Sequence, residues 1–254
     1  MVDRIKTLLA RRGAEFTDLK NQDPATRQSR LKLARVIAKR YSAFDKMRPV
    51  FGAGKEQSVF FGDDAASGDL RDALLNADCI RWDGNRYLFF PDLEKVRYLA
   101  GGWLEEYVFE AVLAAGADAA VVSQKLHWKV QSYHGLSEVD VIARKGDRLL
   151  FVSCKSGKAE LAPKESKSGQ LHRKRLMDYL HEADNLVDHF GMPGDVAVLV
   201  ATTDLIDEEN GNRARHSALF GRALRLDVQL ITLESLRWGP VVERFKGMIN
   251  AMQK

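Results

Sequence analysis

The sequence predicts an α/β protein, with a central mixed sheet flanked by helices over residues 96–254 and a smaller helical, winged-helix-like region over residues 1–95. Three observations predict it. After residue 95 the apolar pattern switches between helical and strand periods in the order α-β-β-β-α-β-α-β-α, as layered α/β domains do. Before it, a short helix runs into a hairpin pattern, the way many winged-helix units end. Charge is also segregated: residues 1–48 hold 13 Lys/Arg against 5 Asp/Glu, about +8, so the remainder carries about −4 of the net +4.

Residues 3–12 and 27–48 read as helices, the second with Leu31, Leu33, Val36, Ile37 and Tyr41 at helical spacing, and Pro49 with Gly52-Ala53-Gly54 ends it. A helix from Asp69 to Asn76 precedes Cys79-Ile80-Arg81-Trp82, a turn at Asp83-Gly84-Asn85, and Arg86-Tyr87-Leu88-Phe89-Phe90. From Pro91 a long helical stretch reaches Ala115. Strands follow at Val121–Val130, Ser137–Arg144 and Arg148–Cys154, then a basic loop and a helix from Gly169 to Phe190. The strand Val196–Thr202, a helix over Arg213–Leu224, the strand Val228–Ile231 and a terminal helix complete the order.

Composition, at 45% hydrophobic and 29% charged, is that of a folded globular chain. No apolar run approaches a membrane span and no leader pattern opens the chain, so a cytoplasmic protein without a membrane partner is expected. Two cysteines, Cys79 and Cys154, are too few for a disulfide framework or a four-thiolate zinc site. The basic arm with Arg11, Arg12, Arg27, Arg30, Lys32, Arg35, Lys39 and Arg40 is either a phosphate-tracking surface or a solvated helical face.

Chemistry concentrates between Ser137 and Lys155. If Gly146-Asp147 is a two-residue turn, partner numbers sum to 293, so Asp140 faces Ser153 and Glu138 faces Lys155. Strand alternation then puts these four on one face, and Val139, Val141, Ala143, Leu150, Val152 and Cys154 on the other. Two carboxylates and a lysine on a strand pair can be a surface salt bridge and no more. Glu105, with Val108, Phe109 and Val112 at i+3, i+4 and i+7, is expected to point inward, and Glu106 to be solvated. An inward carboxylate needs a cation; the choices are a structural ion pair or, with Asp140, a hard-oxygen site of the kind magnesium or manganese takes.

Gly101-Gly102-Trp103-Leu104-Glu105-Glu106-Tyr107, Ser137-Glu138-Val139-Asp140 and Ser153-Cys154-Lys155 together resemble the nuclease half of CRISPR-associated nucleases activated by cyclic tetra-adenylate in type III systems. The resemblance covers about residues 68–245 and implies a restriction-endonuclease-like, PD-(D/E)xK core. It implies that Glu105 and Asp140 bind Mg²⁺ or Mn²⁺ with the backbone carbonyl of Cys154, that Glu138 assists the ion or positions Lys155, and that Lys155 orients the attacking water. A nuclease acting on DNA or RNA in antiviral defence follows, with homodimerisation an expectation from the likeness alone. Lys158, Lys164, Lys167, Arg173 and Lys174, just beyond Lys155, would track the substrate backbone.

Two departures qualify the implied function. The family's acid two residues before the lysine is Ser153 here, so the site lacks a ligand, and the alternative is a module that binds nucleic acid without cutting it. Residues before 68 also lack the βαβ alternation of the family's CARF sensor domain. Either the protein works without a cyclic-nucleotide switch, the switch sits on a separate sensor or defence-system chain, or the sequence is a piece of a longer one.

Overall fold

The computed structural model describes residues 2–16, 24–52, 55–130 and 132–253. Backbone contacts divide them into two compact units, one comprising residues 1–21 with 108–254 and the other 22–107. This differs from the expected division at residue 95, because the first segment of the chain adds a strand to the larger unit's sheet.

The larger unit opens with helix α1 (Val2–Ala10) and strand β1 (Ala14–Phe16). Ala14-Glu15-Phe16 pairs antiparallel with Trp128-His127-Leu126, a strand the sequence pattern did not predict because three residues are too few to display a period. Ile5, Leu8 and Leu9 of α1 are buried in the same cluster as Val121, Leu126, Ile142, Leu149 and Phe151. Helix α1 thus covers the sheet as a structural element, and two of its basic neighbours are engaged: Arg4 pairs with Asp147 at 2.8 Å and Arg12 with Asp195 at 2.5 Å.

The smaller unit contains α2 (Pro24–Lys39), α3 (Tyr41–Phe51), β2 (Gln57–Val59), α4 (Ala65–Asn76), β3 (Ile80–Trp82), β4 (Tyr87–Phe89) and α5 (Leu93–Arg97). The single helix expected over 27–48 is broken at Arg40, whose guanidinium reaches Asp69 at 2.8 Å. Part of the expected stop at Gly52-Ala53-Gly54 lies outside the described residues. Helix α4 starts earlier than expected because Asp64 caps it, accepting from the Ala66 and Ser67 amides. Strands β2, β4 and β3 form an antiparallel sheet in that order within this unit. Tyr41, Phe44, Phe51, Phe89 and Trp103 are buried at its centre.

Helix α5 continues through a π-helical turn at Tyr98–Gly102 into α6 (Trp103–Ala114), which begins in the smaller unit and ends in the larger. Gly101-Gly102 supplies little helix propensity there, where the helix makes a single wide turn.

Strands β5 (Ala119–Val130), β6 (Tyr133–Lys145) and β7 (Arg148–Lys155) follow, then α7 (Lys167–Phe190) and β8 (Val196–Ala201). A small ladder of β9 (Ile206–Asp207) with β10 (Arg213–Ala214) precedes α8 (Ser217–Leu226), β11 (Val228–Ile231) and α9 (Trp238–Ala251). The six-stranded sheet runs β1-β5-β6-β7-β8-β11, antiparallel from β1 to β7 and parallel from β7 to β11. It is the mixed sheet flanked by helices that the pattern predicted, a restriction-endonuclease-like arrangement. Leu176, Leu180 and Ala183 of α7 pack on Ala197, Leu199 and Ala201, while Phe190 at its end joins the Phe151 cluster.

Candidate active site at the β6–β7 hairpin

The hairpin adopts the expected register: Val141 pairs with Val152 and Lys145 with Arg148. Its turn works because Gly146 takes φ +58°, which a side chain resists, and because Asp118 accepts from the Gly146 amide at 2.9 Å. The Lys145 ammonium lies 3.2 Å from the same carboxylate, so the turn is fixed from the start of β5.

The recorded ladder stops at Val141–Val152, and the hairpin's open end departs from ideal alternation. Opposite Asp140 on β5, Ser123 takes φ +51°, and the residues on either side resume pairing as Val122–Val141 and Gln124–Val139. Val139 consequently lies in the same buried cluster as Ile142 and Phe151, three positions from Ile142 instead of two. The expected common face for Glu138, Asp140, Ser153 and Lys155 is therefore broken at Asp140. Glu138 is exposed, registers with Lys125 across β5, and has no recorded ladder pairing with Lys155.

Asp140 itself is half-buried, and its Oδ2 accepts from the Cys154 amide at 2.6 Å. That bond ties the carboxylate to the backbone immediately before Lys155. Ser153 is buried beside Leu199 of β8, on the strand position whose neighbours Phe151 and Lys155 pair with Ala197 and Ala201. Since Ala197, Leu199 and Ala201 face α7, Lys155 reaches the same helix. Its Nζ lies 2.6 Å from Glu182 Oε2 and 5.0 Å from the centre of the Tyr179 ring. Burial pulls its pKa down, but the hydrogen bond and charge of Glu182, then the charge of Asp140, outweigh burial and raise it above the usual lysine value.

Glu106 departs from its expected solvated character. Glu105, on the first turn of α6, is half-buried, whereas Glu106 is buried and accepts from Arg30 at 3.2 Å. The physical reason is that α6 is apolar nearly all round: Leu104, Tyr107, Val108, Ala111 and Val112 are all buried, so the spacing of Val108, Phe109 and Val112 did not single out one inward stripe. A cation from a distant helix, Arg30 on α2, settles which carboxylate goes in.

The loop leaving Lys155 is pinned. Thr202 Oγ1 accepts from the Gly157 amide at 2.8 Å, Thr203 Oγ1 donates to the Lys158 carbonyl at 2.9 Å, and the Asp204 amide reaches Ala159. At the start of α7, a side chain at Gly169 would collide with the Pro163 carbonyl, so that position needs glycine. Lys158, Lys164, Lys167 and Lys174 are exposed, as a phosphate-tracking strip requires. Arg173 is different: its guanidinium donates to the carbonyls of Ala162 and Gly169 and so holds the loop.

Among the described residues, no three or more His, Cys, Asp and Glu side chains stand together as a metal cluster. What the hairpin offers is the Asp140 carboxylate and the main-chain carbonyl of Cys154, hard oxygen donors that suit magnesium or manganese in kind and are one acid short in number. Glu182 was missed by sequence reasoning, because one acid among the many charges of a 24-residue helix carries no signal until β7 is laid against it.

Residues 92–186 match the family model described as Card1-like, endonuclease domain. Among solved structures the chain is similar to protein VC1899 from Vibrio cholerae, with TM-score 0.67 and 16% identity over 98% of this chain and 62% of that one. It is also similar to Can2 from Sulfobacillus thermosulfidooxidans, solved in complex with cyclic tetra-adenylate, with TM-score 0.63 and 16% identity over 97% and 60%. At that identity the likeness is one of fold, and the chain spans about three fifths of either relative. A comparison with curated proteins gives no match.

Proposed function

We propose that the chain is a divalent-metal-dependent endonuclease that hydrolyses phosphodiester bonds of DNA or RNA in CRISPR-linked defence. The observation that carries this reading is the Asp140 carboxylate fastened to the Cys154 amide, one residue from the Lys155 ammonium, within the stretch that matches an endonuclease domain. Asp140 and the Cys154 carbonyl would hold Mg²⁺ or Mn²⁺, with Glu105 and Glu138 as the ligands that the family likeness adds. Bound there, the ion would polarise the scissile phosphate and acidify a water.

The chain's own part follows from charge. The carboxylate neighbours of Lys155 raise its pKa, which supports a role in which the ammonium orients water by donating and offsets negative charge on the phosphate. Lys158, Lys164, Lys167 and Lys174 extend a cationic strip from the site along which a phosphate backbone would lie. A cyclic-nucleotide switch, on this reading, acts from a separate sensor chain or from further sequence, and a homodimer would bring two such sites together.

A second reading, a nucleic-acid-binding module that does not cut, is favoured by Ser153 and by the absence of a three-acid cluster among the described residues. Incubation with single-stranded and plasmid substrates in manganese separates the two. Wild type should cleave, and Lys155→Ala and Asp140→Asn should each lose at least about 100-fold, the scale of a lost charge-stabilising group. Cleavage that survives in both variants rejects this site; binding without cleavage under every divalent metal supports the module.

A further inference from the structure

Lys155 of the proposed site has an ion-pair partner from outside the motif. On β7 the side chain two positions before it, on the same face, is the Ser153 hydroxyl, buried and without charge. An ammonium on that face needs a carboxylate to hold its direction, and the strand does not provide one. Helix α7 does. Glu182 and Tyr179, three residues apart, lie on one helical stripe: the carboxylate contacts Nζ at 2.6 Å while the ring lies beneath it at 5.0 Å. Leu176, Leu180 and Ala183, which alternate with these two residues, are buried against β8, so the stripe is fixed by core packing.

We propose that Glu182 is the positioning residue of this site, holding the Lys155 ammonium in place from α7 where the motif's own acid has become Ser153. The inference rests on the endonuclease reading for its catalytic consequence, but the pinning of Lys155 is a property of the chain and can be measured without substrate. Tyr179 limits the ammonium from below; Glu182 and Asp140 are the charged groups that act on it from α7 and β6. Glu182 is half-exposed and outside the core clusters, so its replacement leaves the packing of α7 in place.

The test compares Glu182→Gln and Glu182→Asp with wild type in the full chain. The side-chain ¹H–¹⁵N signal of the Lys155 ammonium, assigned with Lys155→Arg, reports its order by relaxation. In wild type it should be restricted; in Glu182→Gln it should approach the free averaging of an exposed lysine, and Glu182→Asp should fall between. In cleavage assays Glu182→Gln should lower kcat about 10-fold or more with KM changed less than about 2-fold, and Glu182→Asp should recover part of the loss. Unchanged ammonium order in Glu182→Gln overturns the inference, as does kcat that is unchanged or increased. Loss of order in Glu182→Gln in a protein that never cleaves supports the positioning contact and overturns only the endonuclease reading.

Discussion

Asp195 carries much of the hairpin's attachment to the rest of its unit. One oxygen accepts from the Leu149 amide at 2.8 Å, and the other from the Met192 amide at 2.8 Å and Arg12 at 2.5 Å. Its side chain is fully buried, and that of Arg12 is 9% exposed. Removing one partner of such a pair leaves an uncompensated charge, so Asp195→Ala should cost about 3–5 kcal/mol in urea unfolding. Asp118 has a different role, being more exposed. The Gly146 amide, then Lys145 and Arg144, hold its carboxyl below the usual range against a small opposing effect of burial. A depressed folded pKa contributes stability above the unfolded value of about 4, and that stability is lost as pH falls through the folded pKa. Thermal melts of wild type and Asp118→Asn should therefore differ near neutrality and converge as the pH drops below about 4.

Among the elements, β5 holds an irregular residue that shapes the site. Ser123 sits at φ +51° opposite Asp140, a conformation that glycine accepts and β-branched residues resist. Ser123→Gly should stay within about 1 kcal/mol of wild type, while Ser123→Val should lose at least about 1 kcal/mol by denaturant titration. A strand pattern read as ideal alternation cannot reveal this, which explains why the ladder pairing expected between Glu138 and Lys155 is not formed. The Gly146 turn, by contrast, was legible because a two-residue loop dictates both register and partner sums. Helix orientation was not legible in α6, which is apolar nearly all round, so the spacing did not show that Glu106 would be buried. Glu182 needed the parallel pairing of β7 with β8, a nonlocal fact, to acquire meaning.

For the whole molecule, the α/β order after residue 95 and the helix followed by a hairpin before it came from period and turn chemistry. The discontinuity of the larger unit did not, because β1 is short and its partner distant. Deleting residues 1–21 removes β1, the three buried side chains of α1 and the Arg12–Asp195 pair. At about 1.5–3 kcal/mol for each buried aliphatic side chain, that loss is comparable to the entire stability of a domain. Hydrogen exchange of the truncated chain should show β5 through β8 losing protection while α2–α4 keep theirs. Equal protection in both units would show that the N-terminal segment is dispensable.

The pairing of Ala14 with Trp128 has a further consequence for biosynthesis. The chain leaves the ribosome from its N-terminus, so β1 emerges more than a hundred residues before the strand it must join, an interval on the order of ten seconds at typical translation rates. The smaller unit, contiguous in sequence, can close its own core within that interval. Meanwhile Ile5, Leu8 and Leu9 wait on a tether with no sheet to cover, which makes this segment the natural client of a chaperone and the point where nascent chains would first associate wrongly.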